Sequence, residues 1–359
     1  MFSIRKVQDF YSGRTVLITG HTGFKGSWFV KILTLMGADV VGFSRTPPTN
    51  PNLFNILDFG ESFYDVRGDV RNAGEIKSVL EANQPSIVFH LAAQSIVREG
   101  INQPRKTFET NVQGTVNVLD AISSADAVDA AVIITSDKCY TESSPGYSQR
   151  ESDPLGGSDP YSASKACAEH VIRAYQSSIL TDTNVASARA GNVIGGGDWG
   201  AYRLIPDCVG SIAEEKPVEI RNPNATRPWQ FVLEPLIGYL RLAELLHNGK
   251  DVEGGWNFGP NASKLVSVRD LVESIISEWG KGEYIISGDQ GPQERHFLQI
   301  DSTKSKVELD WFPIYTIEKA ITETTRWYKK YYRAEENMDR ITNNQIKEYL
   351  DTMKYKEGI

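Results

Sequence analysis

The stretch TGHTGFKG spaces Gly20, Gly23 and Gly26 three residues apart, between an apolar β-branched run and an amphipathic segment. A strand, a glycine turn and a helix in that order form a cradle for a pyrophosphate. Gly20 permits the tight turn, Gly23 lets the backbone approach the anion, and Gly26 lets the helix pack closely on the sheet. Free N–H groups and the helix dipole at the N-terminus favour negative charge there. The chemistry expected is that of a bound dinucleotide, against a plain structural turn as the alternative. An acidic residue about 20 positions on, which often holds the ribose hydroxyls of NAD, is missing. Ser44 and Arg45 stand in its place. Arginine suits a 2′-phosphate, so at this point NAD and NADP both remain open. Asp69, in RGDV, is a further candidate contact near the adenine, with helix capping as its plainer role.

Tyr161 and Lys165, in YSASK, lie four residues apart and share one face of a helix. A phenol titrates near ~10 and is a poor base at neutral pH. A nearby ammonium and a cationic nicotinamide both lower that value. The pair therefore suits removal of a hydroxyl proton while hydride leaves the same carbon. Ser136 closes the apolar run DAAVIIT and suits a hydrogen bond to that hydroxyl. Asp137 and Lys138 follow it directly, an acid and a base side by side, with a surface ion pair as their bland reading.

These residues need a scaffold that delivers strand ends to one edge. Strands are expected at 15–19, 39–44, within 62–70, at 86–92, 130–136 and 184–190. Helical spacing covers 26–37, 73–82, 111–123 and 160–176. This alternation predicts an α/β fold with a Rossmann-like, doubly wound parallel sheet and right-handed crossovers. Residues 1–190 form the expected dinucleotide-binding domain. Residues 191–335, rich in Gly, Pro, Asn and Trp, form a smaller substrate lobe with segments returning to the sheet. Residues 336–359 read as a charged helical tail.

The chain has 359 residues and a net charge of −8, which argues against a nucleic-acid partner. Its three cysteines and five histidines are scattered, so neither a disulfide framework nor a metal site is expected. No run approaches the ~20 apolar residues of a membrane span, and the N-terminal residues lack the apolar core of a signal peptide. The expected compartment is the cytoplasm.

With TGHTGFKG, HLAAQS (90–95), TNVQGT (110–115), YSASK and RAGNVIGGGDW (189–199), the sequence resembles the extended short-chain dehydrogenase/reductase family over roughly residues 13–330. The resemblance implies NAD as cofactor, with Thr22, Phe24, Val70, Leu91, Ala92 and Ala93 along it, beside the residues named above. Asn111 is implied to be a structural asparagine. Within the family, SDK points to the nucleotide-sugar 4,6-dehydratases, many of which carry Asp-Glu where this chain has Asp-Lys. Asp137 is then the acid for the C6 hydroxyl and Lys138 the base at C5. The pattern implies CDP-glucose or a related nucleotide sugar as substrate. Gln94, Asn192, Arg203, Arg227, Gln230 and Arg295 are its implied contacts, with His296, Trp199 and Trp229 weaker candidates. Family members commonly pair through two helices per subunit, so a homodimer or dimer of dimers is expected. A 4-epimerase, a dehydratase for another nucleotide sugar, or a catalytically silent NAD(P)-binding sensor remain the alternatives.

Overall fold

The structure is a computed structural model that describes residues 3–144, 146–261, 266–287, 298–334 and 336–357. Seven strands make one parallel sheet: β1 (Thr15–Thr19), β2 (Asp39–Ser44), β3 (Phe63–Arg67), β4 (Ile87–His90), β5 (Ala130–Ile134), β6 (Asn184–Ala190) and β7 (Gly254–Phe258). Their spatial order is β7-β6-β5-β4-β1-β2-β3. The chain runs outward from β1 to β3, then crosses back to β4 on the other side of β1. The order reverses between β1 and β4, and ligands of open parallel sheets gather at such a reversal.

The principal helices are α1 (Ile4–Tyr11), α2 (Phe24–Leu35), α3 (Ala73–Asn83), α4 (Gly114–Ser123), α5 (Pro160–Ser178), α6 (Leu204–Ala213), α7 (Leu233–His247), α8 (Val268–Trp279), α9 (Ile317–Arg333) and α10 (Met338–Glu357). The period of two along each strand sorts side chains between two helical layers. Leu17, Val88, Ala131 and Ile133 pack with α3, α4 and α5. Val16, Ile18, Phe89, Val132 and Ile134 face the other way, towards α2 and α7. A strand covered on both faces reads as a continuous apolar run, which is why AAVII is buried at every position.

Segments beyond residue 190 return to this sheet. Strand β7 pairs with β6, and α7 lies in the core beneath it. Helix α10 is more than a charged tail. Ile341, Ile346, Tyr349, Leu350 and Met353 are buried, and the Tyr349 hydroxyl donates to Glu234 Oε2 at 2.6 Å. Its charged residues occupy the outer face, which is what the composition of the segment reports most strongly.

Candidate active site

Gly23 is the N-cap of α2, so the first turn of that helix opens on the glycine loop. Gly20 has φ +79°, in the left-handed region. A Cβ on Gly20 would lie 2.6 Å from Ala92 N, and one on Gly26 would lie 2.2 Å from Gly20 O. Both contacts are with backbone, so neither can yield. The Leu91 N–H donates to Thr19 O at 3.1 Å and the Ala92 N–H to Thr19 Oγ1 at 3.2 Å, which holds the segment of Leu91, Ala92 and Ala93 across the loop. The result is an uncharged cradle of N–H groups that a side chain would fill, and it fits a dinucleotide pyrophosphate. Phe24 begins the helix at the cradle's rim.

At the far end of the cradle, Thr22 Oγ1 lies 2.8 Å from Ser44 Oγ and donates to Arg45 O at 3.1 Å. The Arg45 side chain is largely exposed, 3.8 Å from Asp69. Asp69 forms a bidentate pair with Arg71, whose hydrogen bond holds the carboxyl below its usual range. The helix cap considered for Asp69 belongs to Asn72, which accepts from the Gly74 and Glu75 N–H groups of α3. Val70 is buried, and its carbonyl accepts from Asn117 Nδ2 at 2.8 Å. This edge presents a serine hydroxyl and an arginine, with no carboxylate at the end of β2.

The catalytic candidates converge at the end of β5. Pro160 and the Asp159 side chain start α5: Asp159 Oδ1 accepts from the Tyr161 and Ser162 N–H groups at 2.9 and 3.0 Å. Tyr161 and Lys165 then face β5, both buried. The Lys165 ammonium donates to Ile134 O at 3.0 Å. Burial lowers its pKa to about 8, against the opposing charge of Glu169. Burial raises the Tyr161 phenol to about 12, and a hydrogen bond with Ser136 works the other way. The Arg203 charge also lowers it, whereas Asp137 and Asp159 add to the rise.

Ser136 caps a short turn over Asp137–Cys139; its Oγ accepts from the Lys138 N–H at 3.2 Å and donates to Asp137 Oδ1 at 3.0 Å. Asp137 is 3 % exposed, which removes the surface-ion-pair reading. A Cβ on Gly191 would lie 1.9 Å from Asp137 Oδ2. Gly191, at the end of β6, thus makes room for the acid, and the sequence reading did not find it. Lys138 is half-buried beside it.

Asn111 lies in a π-helical turn, Glu109–Gln113, directly before α4. Its side chain accepts from the Gln94 N–H and donates to Gln94 O and to Ser164 Oγ, all within 2.9 Å. Gln94 Nε2 donates to Thr107, and its Oε1 accepts from the Ile96 N–H. Its amide thus braces the segment between β4 and the turn that holds Asn111.

The substrate candidates are more dispersed. Asn192 follows β6 with φ +27°. Arg203 donates to Asp198 Oδ2 at 2.8 Å and to Ser95 Oγ at 2.9 Å, linking the lobe to the HLAAQS loop. Arg227 and Gln230 line a cavity of about 300 Å³ with Trp229, Pro260 and Asn261. Gln230 Nε2 donates to Phe258 O and Gly191 O. Trp199 packs edge-on against Trp327 and Tyr328, so it serves the core. Arg295 and His296 lie outside the described residues.

Two further groups escaped the sequence reading. Lys25 projects from the glycine loop into the field of Lys165, Arg203 and Asp137, and burial with the two cations lowers its pKa to about 8. Glu169, one turn beyond Lys165, forms a bidentate ion pair with Arg189 at 2.6 and 2.8 Å. Ser187 and Thr135 also donate to Glu169. Arg189 reaches the Tyr140 hydroxyl at 2.7 Å, and Tyr140 donates to Asn257 on β7. This buried network ties α5, β6, β7 and the SDKCY turn together. Four-residue spacing after Lys165 was the available signal, but the partner on another strand was not visible.

Comparison with known proteins agrees with this geometry. The family model for GDP-mannose 4,6 dehydratase matches residues 17–324. The CDP-glucose 4,6-dehydratase of Salmonella typhimurium is 40% identical over 352 residues, 96% of this chain and 98% of that protein. A dTDP-glucose 4,6-dehydratase of Xanthomonas campestris is 27% identical, over 88% of this chain and 93% of that one. Among solved structures, the dTDP-glucose 4,6-dehydratase of Bacillus anthracis in complex with NAD superposes with TM-score 0.74 at 27% identity, covering 89% of this chain and 97% of that one. A UDP-glucose 4-epimerase of Thermotoga maritima has the same fold at 20% identity and TM-score 0.78, covering 88% and 99% of the two chains. The chain belongs to the GDP-mannose 4,6 dehydratase family, the NAD-dependent 4,6-dehydratases of nucleotide sugars.

Proposed function

We propose that the substrate is CDP-glucose, converted to CDP-4-keto-6-deoxyglucose. The similarity to the Salmonella enzyme along nearly the whole of both chains supports the cytidine nucleotide. The observation that carries the dehydration step is the buried Asp137 next to Lys138, on the same turn as Ser136 and beside Tyr161.

The Gly20–Gly26 cradle, Tyr161 and Lys165 would hold NAD⁺, which would supply an acceptor for the C4 hydride and a donor of that hydride to C6. Tyr161 takes the C4 hydroxyl proton, with Ser136 orienting that hydroxyl. Lys165 orders the ribose and adds positive charge beside the phenol. A ketone at C4 makes the C5 hydrogen acidic, and Lys138 removes it. Asp137 protonates the C6 hydroxyl, which leaves as water. Once hydride stands on C6, Lys138 gives its proton back to C5, and the C4 hydroxyl proton held by Tyr161 makes good the one Asp137 delivered, so the substrate loses one water overall. Asn192, Arg203, Arg227, Gln230 and Arg295 are the proposed contacts for the nucleoside diphosphate, the arginines through their forked donors. Pairing of two subunits through α4 and α5 and a cytoplasmic location complete the reading. Among the described residues no helix is long and apolar enough to cross a membrane.

The test is incubation of the purified protein and NAD⁺ with CDP-, dTDP-, UDP- and GDP-hexoses, followed by mass measurement. Loss of one water from CDP-glucose is expected. Water loss from a different nucleotide sugar would move the specificity, and a product of unchanged mass would point to an epimerase. No reaction with any of them would remove the proposal.

A further inference from the structure

The turn that carries Ser136, Asp137 and Lys138 is fastened at both ends to one buried ion pair. Thr135, just before the turn, donates through its hydroxyl to the Glu169 carboxylate. Tyr140, just after it, accepts at its hydroxyl from Arg189 Nη1 at 2.7 Å and donates to Asn257 Oδ1 at 2.7 Å. Glu169 and Arg189 are the two halves of the pair, 5 % and 4 % exposed. A buried ion pair is often replaceable by apolar side chains at no cost in stability, so stability alone does not account for this one. A fully matched polar network in the interior does hold its members in one arrangement. Here the matching is close. Glu169 accepts from Thr135, Ser187 and two nitrogens of Arg189, and the third Arg189 nitrogen turns to Tyr140.

The two ends of the turn are held differently. The Thr135 end continues β5, and its N–H donates to Ala188 O on β6 at 2.9 Å, so the sheet ladder fixes it as well. Lys165, on α5, is fixed independently by its bond to Ile134 O. The Tyr140 end has left the sheet. Its backbone meets a loop segment at 154–156, and the Tyr140 hydroxyl ties these two segments to Arg189 on β6 and Asn257 on β7. Asp137 and Lys138 lie closer to this end than Ser136 does. Loss of the hydroxyl should therefore disturb the acid and the base while the groups that remove hydride from C4 stay in place.

We propose that Tyr140 is a positioning residue for the elimination half of the reaction, its hydroxyl fixing Asp137 and Lys138 against β6 and β7. This rests on the acid and base roles of those two residues. The experiment mixes the purified protein and NAD⁺ with CDP-glucose under single-turnover conditions and follows NADH absorbance. NADH rises as C4 is oxidised and decays as hydride reaches C6 after water has left. In Tyr140→Phe the rise is expected at the wild-type rate and the decay about tenfold slower, within the ~10²-fold that a misplacement of ~1 Å can cost. A merely structural role would slow both phases by one factor or neither, and either result would overturn the assignment. If that variant does not fold, Arg189→Lys is read in the same way, since lysine keeps a cation beside Glu169 but lacks the nitrogen that reaches Tyr140. Lys138→Ala is run alongside. Decay at the wild-type rate there would instead remove the base role, and the assignment with it.

Discussion

The glycine loop and the SDKCY turn sit at the same edge of the sheet but are built from different materials. The loop works through backbone: Gly20 and Gly26 leave gaps that no side chain could share, and charge plays little part in its shape. The turn works through buried charge. Asp137, Tyr161 and Lys165 are all buried, and burial drives the pKa values of Tyr161 and Lys165 in opposite directions. A cradle made of backbone fails by steric exclusion, abruptly. A site made of side chains fails by degrees, as protonation states drift.

The sharpest break in that comparison is expected at Gly26→Ala. The added methyl would lie 2.2 Å from Gly20 O, so the loop and the start of α2 must separate. NAD⁺ binding should disappear in calorimetric titration while the fold survives by circular dichroism; retained affinity would contradict the steric account. Lys138→Ala comes next. It should lower turnover by ~10²–10⁴, the usual worth of a general base, while NAD⁺ affinity stays unchanged. It should also stop exchange of the C5 hydrogen with deuterated solvent, and normal exchange would take the base role from Lys138.

The smallest effect is a pH dependence of stability. His90 bonds Thr19 Oγ1 at 2.6 Å, and burial, with the Lys165 charge, lowers its pKa to about 3. It stays neutral in the folded protein, whereas in the unfolded chain it takes a proton near pH ~6.5. Stability from this group is therefore present above pH ~6.5 and lost as pH falls, at about 1.4 kcal/mol per unit at most. Urea titrations from pH 7 to 5 should show that slope, flatter in His90→Gln. An equal slope in both proteins would mean that other groups carry the acid sensitivity.

Six of the seven strands were legible: β1, β2, β4 and β5 as largely apolar, buried runs, and β3 and β6 from their places in the alternation with helices. The seventh, β7, was missed. Its sequence GGWNF looks like a turn, and Gly255 is there because a Cβ would strike Arg189 Nη2 at 2.4 Å. A residue whose size answers to a distant side chain carries no local signal. The same holds in the site. Ser136, Tyr161, Lys165 and the three glycines lie in short motifs on single elements, so their spacing displayed their joint use. Gly191 and Glu169 owe their places to contacts with the turn after β5 and with β6, and none of those could be seen along the chain.

The amino-acid sequence alone determined the alternation of strands and helices, the phosphate loop, and the presence of an acid and a base after β5, because each depends on residues within a few positions of one another. Only the tertiary structure decided that the acid is buried against Gly191, that the phenol is held high by burial, and that α10 belongs to the core. Burial is a property of what surrounds a group, and here those surroundings come from segments far apart in the chain.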